Sequence, residues 1–175
     1  SRTIGPVWER PSAQLMWHYR TTNGLGFHEY LQLCEDLEME AMYVCNCGMS
    51  CQARHGGGFS EETTREYLEE ALHALEYALG SEDTPYGSLR AQYGRKEPFR
   101  LKYVEIGNEN FGPEYNERYE LFYHALKAAF PQVIYISNGH TEREKLPTDF
   151  ADEHYYDAPE FFLENVDLFD DYDRS

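Results

Sequence analysis

Two periodicities alternate along this 175-residue chain, and their alternation restricts the fold more than any other feature. Phe27, Tyr30, Leu31, Cys34 and Leu37 recur at three- and four-residue steps, which predicts a helix over about 26–38 with one buried stripe. Met42, Tyr43, Val44 and Cys45 then make a short apolar run closed by Asn46 and Gly48, the pattern of a buried strand. Leu68, Ala71, Leu72, Leu75 and Leu79 line a second helix, which Ser60 caps, Glu61 and Glu62 favour at its N-terminal dipole, and Gly80 stops. About twenty polar residues follow, read as a loop, and loops of that length are often functional. After the strand around Tyr103, Pro113 opens a helix with the stripe Tyr115, Tyr119, Phe122, Tyr123 and Leu126, and Pro131 ends it. Residues 133–137 form another strand and 150–156 a shorter, polar one. A last helix begins at Asp157 with Pro159 and Glu160 in its first turn, while residues 1–24 read as a loop. This order calls for an α/β fold, a parallel sheet with right-handed crossovers. A closed eight-stranded barrel needs about 250 residues, so four strands make the middle of a barrel rather than a whole one.

The strand from Lys102 to Asn110 carries the chemistry. Val104 and Ile106 form one face, and Tyr103, Glu105, Gly107 and Glu109 the other, as the two-residue period requires. A polar inner face suits a barrel lumen, and polar residues at C-terminal strand ends lie where barrel enzymes gather their catalytic groups. Three strand ends qualify: Asn46, then Asn108 with Glu109, then His154 with Tyr156. Glu109 is the candidate acid or base. Glu105 sits two residue pairs deeper, about 13 Å by the strand rise, too far to act as its partner. Glu153 has the opposite parity to His154 and Tyr156 and remains a fallback nucleophile.

Composition narrows the classes of partner. A formal net charge of -17 with pI near 4.7 disfavours nucleic acid and anionic membrane. Aromatic residues among carboxylates and amides suit a sugar. No apolar run reaches the roughly 20 residues of a membrane helix, and residues 1–6 lack the apolar core of a signal peptide. The missing initiator Met suggests a processed or partial chain, so the compartment is left unassigned, with a secreted or periplasmic parent slightly favoured. Cys34, Cys45, Cys47 and Cys51 are expected as free structural thiols. A zinc site from Cys45, Cys47, Cys51 and His55 lacks the usual second cysteine pair, so no metal is expected.

The run Lys102 to Glu109, Glu97-Pro98-Phe99 before it, Tyr86-Gly87-Ser88-Leu89-Arg90, the Asn46-Cys47-Gly48 turn and Asp152-Glu153-His154-Tyr155-Tyr156 occur in an order that resembles glycoside hydrolase family 51, the α-L-arabinofuranosidases. The resemblance implies a partial TIM-type (β/α)8 barrel, about strands 3 to 6 with their helices. Residues 1–175 would form part of the catalytic domain, with the remaining strands and any β-sandwich domain outside the chain. It implies a retaining hydrolase releasing α-L-arabinofuranosyl residues from plant-polysaccharide side chains or oligosaccharides, without a cofactor. Glu109 would be the general acid/base. Asn108 would bind the sugar's 2-hydroxyl, Tyr156 would orient the nucleophile or touch the sugar, His154 is similar to a family histidine near the same pocket, and Asn46 would support them from behind. The nucleophilic Glu is expected after residue 175, so the chain alone is expected to be inactive. Arabinan and arabinoxylan stay undistinguished, as does any homo-oligomer of the full-length enzyme. Another retaining barrel glycosidase, such as a xylosidase or endoglucanase, and a non-catalytic sugar-binding barrel remain alternatives.

Overall fold

A computed structural model describes residues 3–15, 17–51, 57–138 and 146–171. The first segment carries a 3-10 turn, Val7–Glu9, and a small hairpin of β1 (Ala13–Gln14) and β2 (Arg20–Thr21) where the sequence suggested only a loop. It leads into α1 (Phe27–Asp36), β3 (Ala41–Cys45), α2 (Glu61–Leu79), α3 (Pro85–Gln92), β4 (Leu101–Ile106), α4 (Pro113–Ala129), β5 (Ile134–Ser137) and β6 (Phe150–Ala151), then the C-terminal helix Pro159–Glu164. Strands β3 to β6 form one parallel sheet in sequential order. An unbroken 3-4-5-6 order is an arc of a (β/α)8 barrel, whereas a doubly wound sheet reverses its order at a switch point.

The strand register sorts the side chains into layers. Tyr43, Val104 and Tyr135 lie side by side, as do Cys45, Ile106 and Ser137, and these layers face the helices and are buried except for the half-buried Tyr43. The alternate layers are Met42–Tyr103–Ile134 and Val44–Glu105–Ile136–Phe150. Met42, Val44 and Phe150 are exposed there, as expected of the lumen side of a barrel arc. α4 packs through Tyr115, Tyr119, Phe122 and Leu126, all fully buried, and α2 through Ala71, Leu75 and Ala78. Buried phenols need partners. Tyr119 donates to Pro147 O at 3.0 Å and Tyr135 to Phe130 O at 3.1 Å, so each hydroxyl also ties down a chain turn.

Several expectations shift. The polar stretch after Gly80 holds α3, started by Thr84, whose Oγ1 accepts from Gly87 N at 3.2 Å, with Pro85 in the first turn. Buried Arg90 donates to Tyr77 O and Lys96 O, both at 2.7 Å, and fastens that stretch to α2. In α1 the stripe is Phe27, Leu31 and Cys34; Tyr30 and Leu37 are exposed, Leu37 lying beyond the helix end. The expected strand over 150–156 is only Phe150–Ala151. Asp152 N makes one further bond to Ser137 O at 2.7 Å, and β5 itself ends at Ser137, so the ladder has nothing left to pair with.

Candidate active site

The strand expected to reach Asn110 stops at Ile106. Gly107 has φ +91 and Glu109 φ +53, so two left-handed residues within three turn the chain across the sheet's C-terminal edge. A side chain at 107 would have its Cβ 2.9 Å from the Tyr115 ring, so only glycine fits both the angle and the space. Glu109 is a non-glycine residue in a costly conformation, which the surroundings hold in place. Asn110, buried, accepts from Asn108 N at 3.1 Å, donates to Ser50 O at 3.0 Å, and receives the Cys47 thiol. Asn138 Oδ1 accepts from Asn110 N at 3.1 Å, and Asn138 N donates to the Tyr115 hydroxyl at 2.9 Å, which itself donates to Ile106 O at 2.8 Å. These joints lock the ends of β3, β4 and β5 together beneath Glu109.

The Glu109 carboxylate is gripped from both sides. Its Oε2 accepts from Cys51 Sγ at 2.9 Å, and its Oε1 meets His154 Nδ1 at 3.3 Å and the Tyr156 hydroxyl. The Cys51 thiol, and then His154, hold this carboxyl below its ordinary value against the opposing effect of desolvation. His154 Nε2 lies 2.9 Å from Asp152 Oδ2. Asp152 and, second, Glu109 raise the imidazole above its usual value. Glu105 is buried below them, and burial, then the Asp152 charge, push its carboxyl up; Asn138 Nδ2 donates to it at 3.5 Å. One oxygen each of Glu105 and Asp152 and one His154 nitrogen lie within 4.8 Å of one another, and the same imidazole touches Glu109.

His154 and Tyr156 both turn to Glu109, and Glu153 accepts from Tyr155 at 2.6 Å instead. Asn108 is exposed beside Glu109 on the rim. Asn46 is exposed, and its Oδ1 accepts from Gly48 N at 2.7 Å and Met49 N at 3.1 Å, which makes it the former of the turn that delivers Cys47 and Cys51. Cys34, Cys45 and Cys47 are free thiols. Burial pushes the Cys45 thiol up and the Cys47 thiol up to about 12. Cys47 turns to Asn110 and Cys51 to Glu109, so among the described residues the cysteines do not converge; His55 lies outside those residues. Sequence reasoning gave Cys51, Asp152, Asn110 and Asn138 no part in the site around Glu109. Asn138 follows its strand directly, as Asn46 does, and Asp152 shares the alternate-residue parity of His154 and Tyr156, so both signals were present.

The family model of the alpha-L-arabinofuranosidase 1 domain matches residues 1–174. Probable alpha-L-arabinofuranosidase A of Aspergillus flavus is 38% identical over 183 residues, a match covering all of this chain and 29% of that protein. The extracellular exo-alpha-L-arabinofuranosidase of Streptomyces chartreusis is 30% identical over 185 residues, covering 98% of this chain and 22% of that protein. Among solved structures, the arabinose-bound α-L-arabinofuranosidase MgGH51 superimposes with a TM-score of 0.89 at 32% identity, over 99% of this chain and 28% of that one. The chain thus spans less than a third of the length of these relatives.

Proposed function

The chain belongs to the α-L-arabinofuranosidases of glycoside hydrolase family 51, and from that premise we propose that it is the middle of the catalytic barrel of a retaining hydrolase, with Glu109 as general acid/base. The chain supplies barrel strands 3 to 6. The other strands, and any β-sandwich domain, belong to sequence outside it. The substrate is an arabinose-containing oligo- or polysaccharide from which α-L-arabinofuranosyl residues are released. The observation that carries this reading is one carboxylate on the C-terminal rim of the sheet, its side chain 13% exposed, gripped by Cys51, His154 and Tyr156 in a strained backbone conformation.

A retaining mechanism requires a second carboxyl group about 5 to 5.5 Å away. We assign it to a Glu following residue 175, at the end of the next strand. Its negative charge would raise Glu109, which the thiol and imidazole otherwise hold low, toward the protonated form a general acid needs. Asn108, exposed beside Glu109, would then bind the sugar's 2-hydroxyl, and Tyr156 would meet the nucleophile or the sugar.

Glu109→Gln in the full-length enzyme tests the assignment. General acid catalysis is worth about 10²–10⁴-fold, so an arabinofuranoside with a poor leaving group should lose that much kcat. An activated aryl substrate, which needs little protonation, should lose far less. Azide should restore turnover of the activated substrate in Glu109→Ala by attacking the glycosyl intermediate, giving an arabinosyl azide. Equal losses on both substrates would refute the role.

A further inference from the structure

We propose that Asp152 is a positioning residue of this site, holding His154 so that the imidazole carries both of its protons and presents Nδ1–H to Glu109; the proposal rests on the reading of Glu109 as acid/base.

Asp152 is the fixed end of the arrangement. Its backbone N–H is bonded to Ser137 O at 2.7 Å, the last bond the chain makes to β5 before leaving the sheet. From that anchor its carboxylate reaches His154 Nε2 at 2.9 Å, and the opposite ring nitrogen reaches Glu109 at 3.3 Å. A neutral imidazole has one N–H and one lone pair. Between two carboxylates, only the doubly protonated ring donates in both directions. Among the described residues the ring also has near it Glu105 from β4 and Tyr156, whose ring centroid is 6.4 Å away and whose hydroxyl shares Oε1 of Glu109, and neither brings a positive charge that would oppose a cation there. Cys51 is on the far oxygen of Glu109. The raised affinity of His154 for its proton, with Asp152 as the largest cause, is the electrostatic side of the same geometry.

The consequence for the reaction is a division of labour. Glu109 must lose a proton to the leaving oxygen and regain one from water in the second step. The His154 cation beside it stabilises the ionised form between those events, and Asp152 keeps that cation charged and aimed. Without Asp152 the ring can deprotonate and rotate, and Glu109 loses its charged neighbour.

The test uses the full-length enzyme with ¹⁵N-labelled histidine. In Asp152→Asn, whose side-chain carbonyl can still accept from Nε2–H, the His154 titration should move down by about one pH unit or more, since an opposite charge in contact is worth about 1–3 units. Asp152→Ala should lower kcat on a poor leaving group about tenfold, with a smaller change in KM, and Asp152→Glu should recover part of the loss. An unshifted His154 titration in Asp152→Asn would overturn the proposal, whatever Glu109 does. A shifted titration together with equal Glu109→Gln losses on good and poor leaving groups would leave Asp152 as the residue that holds His154 but remove the acid/base reading beneath it. If Asp152→Ala fails to fold, the near-isosteric Asn variant still decides the matter by its titration.

Discussion

Tyr115→Phe removes one oxygen, and the hydrogen bonds around that oxygen let the cost be worked out in advance. The side chain is fully buried, and its hydroxyl donates to Ile106 O at 2.8 Å while accepting from Asn138 N at 2.9 Å. Burial holds the phenol protonated, so it remains a donor at any working pH. Phenylalanine fills the same space but leaves a buried backbone carbonyl and a buried N–H, each costing about 1–3 kcal/mol when unsatisfied. A destabilisation of about 2–4 kcal/mol is expected locally, since the two sites sit at the ends of β4 and β5 and share one hydroxyl. Hydrogen exchange at the Asn138 amide of the intact enzyme reads this directly. Loss of about 1–3 kcal/mol of protection speeds that exchange by about five- to 150-fold. Because Asn138 Oδ1 also accepts from Asn110 N beside Glu109, kcat on a poor leaving group should fall while KM changes little. Unchanged exchange at Asn138, with the protein otherwise native, would show that the hydroxyl is not the joint between the strands and would refute the reasoning.

Two further perturbations test the frame from other directions. Gly107→Ala places a Cβ 2.9 Å from the Tyr115 ring at φ +91, so a cost of about 1–3 kcal/mol is expected, with displacement of Glu109 seen as a selective fall in kcat; a variant with wild-type kcat and thermal stability would mean that the turn has room to relax. Glu29 is bonded to Arg10, whose side chain is 4% exposed against 29% for the carboxylate, and that contact lowers Glu29 from 4.5 to about 2. A lowered carboxyl stabilises above its unfolded value and loses that contribution as pH falls through the folded one. The gap in stability between wild type and Glu29→Gln, about 1–2 kcal/mol after solvent screening, should therefore be full at pH 7 and less than half of that at pH 3. A gap that stays constant between those pH values in thermal melts would contradict the pairing.

Helix and strand order needed nothing but the chain. The steps from Tyr115 to Leu126 and the apolar run before Asn46 hold in any context, because a period of 3.6 or 2.0 residues is a local property and the burial it demands comes from whatever packs above. The parallel sheet follows from that order, and so does the rim that gathers strand ends. The missed α3 was legible too, in Thr84 and Pro85. What the chain alone could not determine is the shape of the site. Extrapolating β4 as a straight strand carries it on to Asn110, but the strand stops at Ile106 and the left-handed turn at Gly107 and Glu109 sets the Glu109 carboxylate against His154. Cys51 reaches Glu109 across 58 positions, and Asp152 becomes a partner of His154 only where the end of β5 stops the ladder. Periodicity is set by covalent geometry over a few residues. A hydrogen bond between side chains far apart in sequence is set by where several elements end, and only the packed fold decides that.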